Sequence, residues 1–222
     1  PKSIRETIGS RLTAEGKCSI ENLNLTKEYL KSLNKIYIVA CGTAMHAGLA
    51  TKALFEKLCN IQTEVDIASE FRYRDPLIDE KSLVIFISQS GETADTIAAL
   101  KLSKEKGAKT IAISNVIGSS ITREADYTVY THAGPEIAVA STKAYTSQVV
   151  LMALMAISFA ETLGISSEMA ETLKTDILKI PSQVEDVLKN IDGVRNFAKQ
   201  VYTEKDMFFL GRGIDYSAAL EA

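Results

Sequence analysis

The chain has 222 residues, 46% hydrophobic and 24% charged, the composition of a folded globular protein with enough length for one substantial core. Its 25 basic residues stand against 28 acidic ones, the net charge is -3 and no cationic run occurs, so there is no electrostatic footprint for nucleic acid or for an anionic membrane surface. Cys18, Cys41 and Cys59 are odd in number and share no CxxC spacing. They support neither a disulfide framework nor a zinc site and fit a reducing cytoplasm, with small molecules or protein surfaces as partners.

The chain opens on Pro1-Lys2-Ser3-Ile4, without a charged-then-apolar leader, and this reads as the interior of a longer protein. Apolar periodicity predicts helices near 3–12 and 26–33. Short apolar runs then appear at 36–40, 63–67, 83–88, 110–113 and 127–130, with helical stretches near 44–59, 69–73, 93–106 and 119–124 between them. Strand alternating with helix predicts a doubly wound α/β domain: a five-stranded, mostly parallel sheet flanked by helices in a three-layer sandwich. The run LVIFIS at 83–88 is apolar at consecutive positions, as expected of a central strand covered on both faces. A long helix is predicted from about Thr142 to Leu163. Its apolar run Val149 to Ile157 is shorter than the ~20 residues of a membrane span and reads as a buried helix. A polar helix is expected over 166–179, Pro181 is expected to break the pattern, and two amphipathic pieces lead to Tyr202. The segment 206–221 can be laid on 35–50 without a gap, placing Gly213 on Gly42, Ala218 on Ala47 and Leu220 on Leu49. A new strand and helix are therefore expected there, as the truncated start of a second copy of the domain. The resulting division is a helical linker segment at 1–31, a first α/β domain at 32–165, a helical connector at 166–205 and the start of a second domain at 206–222.

The most informative stretch is Ser88-Gln89-Ser90-Gly91-Glu92-Thr93, between the predicted central strand and the following helix. In an open parallel sheet, ligands bind outside the carboxyl ends of the strands. This loop has the parts of a phosphate cradle: a glycine that lets backbone approach, unpaired N–H groups at a helix start, and the hydroxyls of Ser88, Ser90 and Thr93. It contains no Lys or Arg, so an anion there would be held by neutral donors and a helix dipole, which suits reversible binding of a metabolite. The competing reading makes Ser90 or Thr93 a plain N-cap. A nucleotide P-loop is excluded because GxxxxGK[ST] is absent. Thr43, after the first strand in Cys41-Gly42-Thr43-Ala44, and Ser141, at the mouth of the long helix, have the same two readings. Cys41 reads as a strand-end residue, and Lys143 as a solvated first-turn residue or an anion ligand. His46 and His132 have no carboxylate or Cys at metal-ligand spacing and read as structural. No GxSxG elbow occurs, and neither a metal nor a cofactor is expected.

Taken together, ISQSGETADT at 87–96, EIAVASTKAYT at 136–146, ASEFRYR at 68–74 and ACGTAMHAG at 40–48 resemble the sugar isomerase (SIS) module, and more narrowly the glucosamine-6-phosphate synthase (glutamine:fructose-6-phosphate aminotransferase) family. That resemblance implies the flavodoxin-like SIS fold and a cytoplasmic homodimer that makes glucosamine 6-phosphate from fructose 6-phosphate and glutamine for amino-sugar (UDP-GlcNAc) biosynthesis. It also implies that Ser88, Gln89, Ser90 and Thr93 bind the phosphate of fructose 6-phosphate or glucosamine 6-phosphate, with Thr43, Val139 and Ser141 lining the sugar. Where the family usually has Ser after Cys-Gly-Thr, this chain has Ala44. The family's catalytic Glu, Lys and His would lie past Ala222, so no catalytic residue is expected within the chain. The competing functions are a sugar-phosphate sensor, which lacks the expected basic recognition helix in 1–34, and a dimerisation module using the helix at 142–163.

Overall fold

The computed structural model describes residues 1–13, 15–137 and 141–222. In chain order its elements are α1 (Lys2–Ile8), α2 (Lys27–Ser32), β1 (Lys35–Ala40), α3 (Thr43–Cys59), β2 (Gln62–Ile67), α4 (Ala68–Phe71), β3 (Ser82–Ser88), α5 (Ala94–Glu105), β4 (Lys109–Ser114), α6 (Ser120–Glu124), β5 (Tyr127–Tyr130), α7 (Lys143–Leu163), α8 (Glu168–Lys189), α9 (Asp192–Val201) and α10 (Ile214–Glu221). The five strands form one parallel sheet in the order β2-β1-β3-β4-β5.

Successive strand side chains point to opposite faces, so the consecutive apolar runs split into two cores. Ile36, Ile38, Leu83, Ile85, Ile87 and Ile111 face the layer built from α3 and α7. Tyr37, Val39, Val84, Phe86 and Ala112 face Phe71 of α4, Leu100 of α5 and Ile121 of α6. Every residue of β3 is buried, as its uninterrupted apolar sequence required. Helix α3 comes close enough to the sheet that a Cβ on Gly48 would lie 2.8 Å from Ile38 Cγ2. Its far end stacks on α7 through Phe55 and Phe159, whose ring centroids are 5.7 Å apart. Helix α7 has the length and apolar composition of a membrane span, but 72% of its most apolar stretch is buried inside the fold.

The stretch before β1 is packed into the larger core through Ile4, Ile8, Leu12, Ile20 and Leu30. Arg11, 3% exposed, ties it down. Arg11 Nε donates to Glu21 Oε2 at 2.7 Å, Nη1 donates to Thr7 O at 2.5 Å and Nη2 donates to Tyr130 O at 2.6 Å. The Thr7 hydroxyl donates to Thr131 O at 2.6 Å, so this segment secures the chain where it leaves β5.

Two expectations are corrected. Pro181 does not break the helix: α8 runs through it to Lys189. Proline forfeits one backbone hydrogen bond, but Ile177, Ile180, Pro181 and Val184 continue one apolar stripe against the core, and Arg5 holds Glu185 at 2.8 Å beyond the proline. The run 206–210 forms no strand, and Phe208 and Leu210 are 87% and 92% exposed. A strand needs a neighbour to accept its ladder hydrogen bonds, and none stands beside this segment among the described residues. The helix expected after it does form. α10 lies on α3, with His46 Nδ1 2.7 Å from Glu221 Oε2.

Burial, the largest single influence, works to raise the Glu21 carboxyl, but hydrogen bonds from Arg11 and from the Glu21 backbone, with the charges of Arg11 and His132, together hold the group below the ordinary carboxylate range. Stability from this pair is therefore present above the unfolded-state value and is lost as pH falls through the folded one. Arg11→Met should destabilise the fold by about 2 kcal/mol at neutral pH. Glu21→Gln should lower the urea midpoint at neutral pH and converge with the parent in acid; an undiminished gap in acid would contradict the assignment.

Candidate sugar-phosphate site

The sheet order reverses direction between β1 and β3, and the crevice at such a switch point is where open α/β sheets bind ligands. A cavity of about 270 Å³ opens there. Its walls are Cys41, Thr43 and Ala44 after β1, Ile87 to Ser90 and Thr93 after β3, and Ser141 and Gln148 from the α7 end. Of the residues expected at the site, Thr43, Ser88, Gln89, Ser90, Thr93 and Ser141 are all brought to this one cavity. Val139 lies outside the described residues.

The competing reading of these hydroxyls as helix caps is not what the structure shows. The N-cap of α5 is Thr93, yet its side chain makes no cap bond and instead stands 3.1 Å from Ser88 Oγ. The N-cap of α3 is Gly42, which leaves Thr43 inside the first turn. At α7 the N-cap Thr142 makes no side-chain cap bond, and the Glu136 carboxylate accepts from Ala144 N at 3.2 Å. Lys143 donates to Pro135 O and is not on the cavity wall.

Within the loop, backbone N–H groups occupy the hydroxyl lone pairs. Gly91 N donates to Ser88 Oγ at 3.1 Å, and Glu92 N donates to Ser90 Oγ at 3.2 Å. A hydroxyl whose oxygen already accepts can turn its hydrogen to a ligand; one hydrogen of the Ser88–Thr93 pair lies between the two oxygens, which leaves Ser90 and the other member of that pair to donate. The long helices α3, α5 and α7 also begin around the cavity, and their unpaired N–H ends favour negative charge. Glu92, the one acidic residue of the loop, is turned away: its Oε1 accepts from Ser120 N at 2.7 Å, and hydrogen bonding from Ser120 keeps its carboxyl below the ordinary value. Among the described residues, the cavity wall holds no carboxylate, imidazole, amine or guanidinium. Hydroxyls and amides dominate the wall, with the Cys41 thiol beside them.

Gly91 makes the turn possible. It has φ +67°, and a Cβ there would lie 2.0 Å from Ser119 Oγ and 2.9 Å from Ser114 Oγ. Two residues that sequence reasoning did not single out also shape the site. Asn115, just past β4, donates its N–H to Gln89 O at 3.1 Å. Its side chain accepts from Thr131 Oγ1 and Ala133 N at 2.9 Å each and donates to Gly134 O at 2.7 Å, so one amide joins the Ser88–Thr93 turn to the loop leading to α7. Gln148 sits in the second turn of α7; its position in an apolar helix was the only signal, and a polar residue buried there calls for a partner.

The SIS domain family matches residues 29–158 of the chain. The chain belongs to the SIS domain family. Curated relatives extend the likeness beyond the SIS domain itself. The glutamine–fructose-6-phosphate aminotransferases [isomerizing] of Clostridium perfringens and Clostridium tetani are 52% and 54% identical over 222 residues, all of this chain and 36% of each relative. The chain thus spans about a third of the length of these relatives. Among solved structures, the C-terminal domain of glucosamine-fructose-6-phosphate aminotransferase from Francisella tularensis superposes with a TM-score of 0.92 at 36% identity, covering 100% of this chain and 62% of that one. A putative phosphosugar isomerase from Bacillus subtilis matches with a TM-score of 0.71 at 26% identity, over 87% of this chain and 60% of that one.

Gly91→Ala should cost at least about 2 kcal/mol, because it strains the backbone as well as colliding with Ser119. Urea unfolding checks this, and a midpoint equal to the parent's would contradict the close packing described.

Proposed function

We propose that this chain is the sugar-phosphate-binding part of the isomerase region of a glutamine:fructose-6-phosphate aminotransferase, and that its cavity holds fructose 6-phosphate or glucosamine 6-phosphate. The observation that carries the reading is the convergence of Ser88, Gln89, Ser90 and Thr93 at the switch point, with the Ser90 hydroxyl and one of the Ser88–Thr93 pair left to donate. The phosphate is assigned to these four residues and the sugar to Thr43, Val139 and Ser141. The curated relatives carry that aminotransferase name, which supports the choice of substrate.

The phosphate is remote from the reacting carbons, so its binding energy serves to position them. With no carboxylate, imidazole or amine among the described residues of the cavity wall, proton transfer and nitrogen transfer are assigned to groups elsewhere in the parent enzyme. The parent would supply glucosamine 6-phosphate to amino-sugar biosynthesis in the cytoplasm. Ala44 is on the cavity wall without a hydroxyl to contribute, so the first strand's share of the binding rests on Thr43 and on the start of α3.

Isothermal titration of the chain with fructose 6-phosphate should give saturable binding. Ser90→Ala should weaken it roughly tenfold, the effect of one hydrogen bond to a charged group. No heat from the parent chain would sink the reading.

Assembly as a homodimer is part of the same proposal. Val187 of α8, Val194 and Phe197 of α9, and Phe208 and Leu210 before α10 are exposed apolar side chains available for a second copy to cover. Sedimentation over a range of concentrations should show self-association, and a monomer throughout would remove the dimer from the proposal.

A further inference from the structure

We propose that Gln148 is a substrate-positioning residue whose carboxamide accepts a hydrogen bond from a sugar hydroxyl in this cavity. The inference rests on the sugar-phosphate reading above and adds to it a contact that decides which end of the ligand goes where.

Gln148 is 2% exposed and lies in a helix whose neighbouring positions are apolar core, Val150, Leu151 and Leu154 among them. A glutamine in such a setting loses its water and must find partners within the protein or in a ligand. Its Oε1 is buried and accepts no hydrogen bond among the described residues. Gln148 also forms part of the wall of the cavity that Ser88, Ser90 and Thr93 line. A buried acceptor that is unpaired at the edge of an otherwise donor-rich cavity is poised for a ligand that brings a donor.

The chemistry of the two ends of a sugar phosphate then assigns the contact. A phosphate dianion has only acceptor oxygens, so it pairs with the hydroxyl and backbone donors of the Ser88–Thr93 turn and not with an amide oxygen. Sugar hydroxyls donate as well as accept. Gln148 therefore reads the hydroxyl-bearing end, and a site built to accept from a hydroxyl discriminates against a ligand that lacks it, because the buried acceptor is left unpaired.

The test compares the parent chain with Gln148→Met, which keeps the length and bulk of the side chain and removes both polar atoms. Fructose 6-phosphate binding is read by isothermal titration, inorganic phosphate binding by phosphorus NMR, and folding by the thermal midpoint. The expected result is about tenfold weaker fructose 6-phosphate binding, inorganic phosphate behaviour unchanged, and a thermal midpoint equal to or above the parent's, since an unpaired buried amide has been replaced by an apolar group. Fructose 6-phosphate affinity equal to the parent's overturns the proposal. A lowered midpoint with both ligands weakened in parallel makes Gln148 a structural residue and also overturns it. If the parent itself binds no fructose 6-phosphate, the site reading fails and takes this inference with it, a result distinct from a loss confined to the variant.

Discussion

The close approach of Gly91 to Ser119 is the contact on which the cavity depends. Because the glycine has no side chain and can take a positive φ, the chain leaving β3 folds back tightly enough for Gly91 N to reach Ser88 Oγ. The same turn sends Gly91 O to Ile121 N at 3.0 Å and Glu92 to the start of α6. The loop is thus held from behind by α6 and the end of β4, and its hydroxyls are left facing forward. A mobile loop would have to pay for that ordering on binding; this one is ordered beforehand.

A cavity lined by hydroxyls, with no cation among the described residues of its wall, is the second theme. A lysine or arginine on the wall would strengthen phosphate binding but would also attract anions generally. Neutral hydroxyls and three helix starts provide a weaker, geometrically defined field in its place. The one acidic side chain of the loop is tied to Ser120 and kept out of the way.

The third wall is reached by a longer route. Arg11 and Thr7 fasten the end of β5, and Asn115 fastens the loop after it to the Ser88–Thr93 turn. From there the chain leads to Ser141, just before α7, and to Gln148 in the second turn of that helix, both on the cavity wall. The segment before β1, distant in sequence from the site, is in this way part of what positions it.

Much of this was legible in the residues themselves. Consecutive apolar residues at 83–88 announced a doubly covered strand, strand–helix alternation announced the parallel sheet, and Ser88 to Thr93 announced a hydroxyl-bearing turn at the carboxyl end of the central strand, because these are local signals of period and composition. Where local pattern misled, longer-range packing decided. Pro181 signals a break, but an apolar stripe on both sides of it keeps α8 continuous; Phe208 to Leu210 signal a strand, but a strand exists only beside a partner. The sequence by itself determined the layer pattern and the hydroxyls of the first two cavity walls. Only the tertiary structure decided that Thr93 faces Ser88 instead of capping α5, that Asn115 bridges two loops, and that Gln148 meets them with an unpaired oxygen, because each of these depends on which side chains the sheet order brings face to face.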